Sequence, residues 1–167
     1  MKHDVKRKGF TLVELLIVIV VIGILSAMMM ISSTEAVTSA KASNIVSNLR
    51  NLKTAALALY TDSMDNFAQS GSPIPASKDV FKYLTSGQEI PDGKNYDIVD
   101  ASGSNREGNG KGRIWFLKCT VTGTTDEINR IKNKLKGRAQ SVGLLNTCAA
   151  NSAAYDGSEV AVYMRVR

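Results

Sequence analysis

From Phe10 to Ile31 the chain runs for 22 residues with a single charge, Glu14. As an α-helix this run would measure roughly 33 Å, enough to cross the hydrocarbon core of a bilayer. It follows directly on a short basic leader, MKHDVKRKG, in which Lys2, Lys6, Arg7 and Lys8 stand against Asp4 alone. A positive start of this kind stays in the cytoplasm while the C-terminal part is translocated. A secretory signal peptide shares the basic start and the apolar region, with Ile24-Leu25-Ser26-Ala27 as a cleavage context. Its apolar region is shorter, however, and a carboxylate near its start is foreign to it. A plain single-pass anchor accounts for the span but gives Glu14 no role.

An ionisable residue at a bilayer marks a functional position and needs a partner. A free α-amino group at Phe10 would supply one. A cut between Gly9 and Phe10 creates a cation four residues from Glu14, where almost no other charge is present. In the low-dielectric core of a helix bundle, the carboxylate would strongly favour a cation from an adjacent chain.

The string Gly9-Phe10-Thr11-Leu12-Val13-Glu14-Leu15 resembles the class III signal sequence of type IV pilins and type II secretion pseudopilins. The resemblance implies that a prepilin peptidase cuts after Gly9 and methylates the new terminus, Phe10. It also implies that Glu14 pairs with a neighbouring subunit's N-terminus during assembly. The short leader is similar to the type IVa and pseudopilin branch. One departure is the lack of a proline about a dozen residues beyond the glutamate, where the chain reads Ser26-Ala27-Met28-Met29-Met30-Ile31-Ser32. A proline there would kink or open the helix; its absence points toward a minor pilin or a pseudopilin. Gly23 is retained, either for close helix contact or as a tolerated small residue.

Beyond the apolar run, Ile45, Leu49, Leu52, Ala56, Leu59 and Tyr60 recur at steps of three and four, which defines one face of a helix. Lys41, Ser43, Asn44, Ser47, Asn51 and Thr54 fall on the other side. The pattern predicts one long helix to about Asn66, apolar all round in its first half and amphipathic in its second. A loop follows at Gln69–Ser77, then a short helix at Asp79–Leu84. Strands are predicted at Tyr96–Val99, Arg113–Thr122 and Glu159–Arg167. Thr124 and Glu127 form a capping-box pattern before an apolar stripe of Ile128, Ile131 and Leu135, with Gly137 as C-cap. The fold class is therefore α+β, with the type IV pilin-like layout that the resemblance implies: a long N-terminal helix packed on an antiparallel sheet, and an extra helix between C-terminal strands. Residues 1–9 are expected to be the removed leader, 10–33 the transmembrane and filament-core helix, and 34–167 the exported globular domain.

The function classes left open are few. The only histidine, His3, lies in the leader, so a processed chain has no Ser-His-Asp or Cys-His catalysis of its own and no usual Cys/His zinc site. No cofactor and no metal are expected. Gly108-Asn109-Gly110-Lys111-Gly112 lacks the ending of a phosphate loop and leads into a strand, so it reads as a turn. Asp92, Asp97 and Asp100 do not have the spacing of an EF-hand and read as solvated carboxylates, with calcium as the minor alternative. Arg130, Lys132, Lys134, Lys136 and Arg138 flank an apolar stripe and read as a solvated helix face, with nucleic acid as the weaker partner. Without the leader the chain carries 17 basic and 14 acidic side chains, a mild excess that adds little to that reading.

Cys119 and Cys148 lie in the part expected to be exported, where a disulfide is permitted. Such a bond would contribute roughly 3–4 kcal/mol on the chain-entropy model. In pilins of this type a similar disulfide pins a C-terminal loop, the D-region, to the sheet, so the resemblance implies Cys119–Cys148 pairing. Two buried thiols are the alternative, and the lack of a CxxC spacing weighs against a redox pair.

The expected function is a structural subunit of a type IV pilus serving adhesion, twitching motility or DNA uptake. The alternative is a type II secretion pseudopilin, and more distantly a membrane-anchored enzyme or sensor. Expected partners are further copies in a helical filament, the prepilin peptidase, an inner-membrane assembly platform and the membrane itself. The precursor would sit in the inner membrane and the product in an extracellular pilus or a periplasmic pseudopilus.

Overall fold

The structure is a computed structural model that describes residues 9–63, 75, 77–84, 95–101, 114–149 and 151–166. Most of the leader, most of the expected loop after the long helix, Asp92 and the glycine-rich segment at 108–112 lie outside the described residues. The elements run α1 (Leu12–Asp62), α2 (Ser77–Phe81), β1 (Tyr96–Asp100), β2 (Trp115–Thr120), α3 (Thr125–Lys136), α4 (Ala139–Val142), β3 (Leu144–Leu145) and β4 (Ala161–Arg165). The layout is α+β and pilin-like. Two compact units are present, Met1–Val37 and Thr38–Arg167, and α1 contributes to both.

In the first unit α1 continues from Leu12 without a break, as the absence of proline allows. Every side chain from 9 to 29 is exposed. The helix is long and apolar enough to cross a membrane. Side chains such as Ile17, Ile19, Ile22 and Ile24 are each more than half exposed. Removing such side chains from water, into lipid or against another helix, is favourable.

The second unit is built on the amphipathic part of the same helix. Ala42, Val46, Leu49, Leu52, Ala56 and Leu59 are buried, at the three-four steps that put them on one face. They share a core with Ile98 of β1, with Trp115, Leu117 and Cys119 of β2, and with Val162 and Met164 of β4. Strand period explains the β2 set: alternate residues point the same way. Phe116, between two of them, is also fully buried but lies outside that core cluster. The sheet order is β1-β2-β4-β3, antiparallel throughout. Tyr60 of α1 meets Trp115 edge-on, with ring centroids 5.5 Å apart, a favoured aromatic arrangement.

The expected helix after the first cysteine is present as α3. The Thr124 hydroxyl accepts from the Glu127 backbone N–H at 3.4 Å, and Ile131 and Leu135 are buried. Gly137 caps it as expected but in a right-handed conformation. The chain therefore turns on through Arg138 into α4 and stops at Gly143, whose φ of 77° is left-handed. Gly123, ahead of the cap, has φ 147°, and a Cβ there would lie 2.7 Å from the Glu127 carboxylate. The positive φ is what favours glycine here, since the Glu127 side chain can swing aside.

The candidate assembly site and the two cysteines

Gly9 and Phe10 stand exposed at the entry to α1, Phe10 at 89%. The helix starts one residue later because Thr11 caps it. The Thr11 hydroxyl accepts from the Glu14 N–H at 3.2 Å, while the Glu14 carboxylate accepts from the Thr11 N–H at 2.8 Å and from its hydroxyl at 2.9 Å. Two backbone donors that a helix start leaves without partners are thereby satisfied reciprocally. The spacing Thr-x-x-Glu was legible in the sequence as a capping box, but Glu14 was read only for its charge. Thr11 is the residue that reading missed. Gly23 has open space around it in the single chain.

Glu14 is therefore held four residues from Phe10, at the first turn of a helix whose next charge is Glu35. Its carboxylate lies on the N-terminal end of the helix dipole, where negative charge is favoured. Among the described residues its hydrogen-bond partner is Thr11, and its apolar surroundings strengthen the pull on any cation brought to it.

This N-terminal segment has a family. Residues 5–30 match the family model of the prokaryotic N-terminal methylation motif. That motif is the class III signal peptide found in type IV pilins and pseudopilins. The methylation motif thus takes in Gly9, Phe10, Thr11 and Glu14, and ends short of the second unit. No curated protein and no solved structure matches the chain.

The structure does not bring Cys119 and Cys148 together. Both are free thiols, the first buried and the second half-buried. Cys119 is paired with Tyr96, at the start of β1. The Cys148 sulfur lies 4.0 Å from the carbonyl oxygen of Ala101, just beyond the other end of that strand. Five residues of strand span roughly 17 Å, whereas a disulfide requires Cα atoms within about 7 Å. No disulfide joins the two in this structure. Burial pushes the Cys119 thiol up to about 11, so it stays protonated at neutral pH.

The C-terminal loop is held instead by polar contacts. Leu145 bridges Ala154, and Asn146 N–H donates to Ala153 O at 3.1 Å. The Asn146 side-chain oxygen accepts from Asp156 N–H at 3.0 Å, and Asp156 accepts from Ser158 N–H at 2.8 Å. Tyr155, 2% exposed, plugs the loop into the core and donates to Glu159 O at 2.6 Å. From α3, Lys132 donates to Ser158 O at 2.8 Å.

The remaining predicted site residues find ordinary uses. Of the basic cluster, Lys132 is spent on that loop and Arg138 donates to the Ser43 hydroxyl at 2.7 Å. Asp97 accepts from the N–H of Ile98 at 2.8 Å, and Asp100 is buried opposite Trp115. Among the described residues no cluster of three His, Cys, Asp or Glu side chains could hold a metal.

Proposed function

We propose that this chain is the precursor of a type IV pilus subunit, cut after Gly9 and methylated at Phe10. The observation that carries the reading is the capped glutamate of the methylation motif, at the head of an apolar run whose side chains stand exposed among the described residues. Before assembly the bilayer covers that helix. After assembly, helices of other copies do, with Glu14 of one subunit meeting the N-terminal amine of its neighbour. The second unit is then carried outside the membrane and forms the filament's surface. The chain's own residues have a structural part, and the chemistry of cutting and methylation belongs to the peptidase.

Mass spectrometry of the mature N-terminus tests this. A start at N-methylated Phe10 supports it; an intact Met1, or a start near Ala27, would overturn it.

A second reading, the type II secretion pseudopilin, has one observation in its favour: α1 passes Ser26–Ser33 as continuous helix with no proline. Pili on cells that lack secretion genes, lost when this gene is deleted, separate the two readings in favour of the first.

A further inference from the structure

The second unit contains a cleft of about 280 Å³ between α1, the start of β1, the end of β2 and α3. It lies on the part of the molecule that the methylation motif does not cover. Its walls carry three amides, Asn44 and Asn48 from adjacent turns of α1 and Asn95 ahead of β1, together with the hydroxyl of Thr122. Ile45, Val121 and Ile131 provide its apolar lining.

Two of the amides are oriented by the protein. Asn48 Nδ2 donates to the Tyr96 hydroxyl at 3.1 Å, and Asn95 Nδ2 donates to the Thr122 hydroxyl at 3.3 Å. Each therefore keeps its carbonyl oxygen as a spare acceptor. The exposed Asn44 side chain has no hydrogen-bond partner among the described residues and offers both a donor and an acceptor. Among the described residues the cleft has one cation on its wall, Lys41, and that is already paired with Glu127. The pairing holds the Glu127 carboxyl below its ordinary value, so the lining is close to neutral overall. Cys119 also contributes to the wall, but as a protonated thiol it is no nucleophile.

We propose that this cleft is a binding site for one ring of a neutral saccharide. Hydroxyl groups both donate and accept, which matches fixed amide acceptors beside a free amide and a hydroxyl. The C–H face of a pyranose ring matches the isoleucine and valine lining. The volume suits a single ring and not an extended peptide, and the neutral lining gives an anion little to bind. Small polar ligands held by a few neutral hydrogen bonds bind in the millimolar range.

The test uses the full-length chain in detergent micelles, labelled with nitrogen-15 and titrated with glucose, galactose and N-acetylglucosamine. The expected result is a saturable shift of the side-chain amide signals of Asn44, Asn48 and Asn95 with at least one of these sugars. Asn44→Ala sits at an exposed helix position where alanine is favourable. It should keep the Trp115 fluorescence of the folded domain and weaken binding by about fivefold to tenfold, the share of one or two neutral hydrogen bonds. Three results would each overturn the proposal. One is no saturable shift with any sugar; another is a shift that Asn44→Ala leaves unchanged. The third is tighter binding of inorganic phosphate or of cyclohexane than of the sugars.

Discussion

Two partners compete for the carboxylate of Glu14. Within one chain Thr11 holds it through two hydrogen bonds; in the proposed filament a neighbour's amine takes it. The second partner brings a full charge into apolar surroundings, and a buried charge left without its counterion is strongly unfavourable. Glu14→Ala should still be processed, but filament yield should fall by on the order of tenfold or more. Thr11→Val removes only the cap and leaves the carboxylate in place, so its loss should be clearly smaller. Sheared-filament yield measures both, and normal yield from Glu14→Ala would contradict the charge pairing. The cysteines carry a second prediction at this scale. A maleimide at neutral pH should label Cys148 in the folded protein, while the buried and protonated Cys119 reacts only after unfolding. A protein that labels at neither position until reduced would show that the two sulfurs are joined after all.

Among the elements, the C-terminal loop differs most from its expectation, since Tyr155, Asn146 and Asp156 do the work assigned to a disulfide. The Ser158 hydroxyl and N–H, then the Asn146 side chain, hold the Asp156 carboxyl down at about 2, against an ordinary value of 3.8. A carboxyl depressed in the folded state adds stability above its unfolded value, and that contribution disappears as pH falls through the folded one. Protection factors of the amides at 146–149 and 151–158, with exchange taken relative to the unfolded chain at the same pH, should thus be steady above pH 3.8 and fall as pH approaches about 2. In Asp156→Asn that acid step should vanish, and an unchanged step would assign it to another group. The long elements were legible from pattern alone: the second half of α1, the strands around Trp115 and Val162, and α3 all follow side-chain periodicity. The loop was not, because its hydrogen bonds join residues such as Asn146 and Asp156 that have no periodic signature. The short α4 and β3 were missed because four and two residues are too few to show a period.

For the whole molecule, the two units depend on different surroundings. The second has its own core and its own probe, Trp115, the sole tryptophan, buried against Tyr60. Leu49, fully buried on α1, is central to that core. Leu49→Ala should cost about 2–5 kcal/mol, read from Trp115 fluorescence in urea with the chain in micelles. The apolar N-terminal part should keep its helical circular dichroism through that transition, since detergent and not the sheet covers it.

The sequence by itself determined the N-terminal motif on which the proposed function rests: the leader, Gly9, Phe10, Glu14 and the apolar run are neighbours in the chain, so their pattern is local and readable by spacing. It also determined which face of α1 is buried, because helical period follows directly from residue order. Only the tertiary structure decided where the cysteines sit: strand register sets Cys119 opposite Tyr96 at the start of β1, and the C-terminal loop sets the Cys148 sulfur by the Ala101 carbonyl beyond its end. The cleft likewise appears only in three dimensions, where residues 44, 48, 95 and 122 meet although nothing in their order announces it.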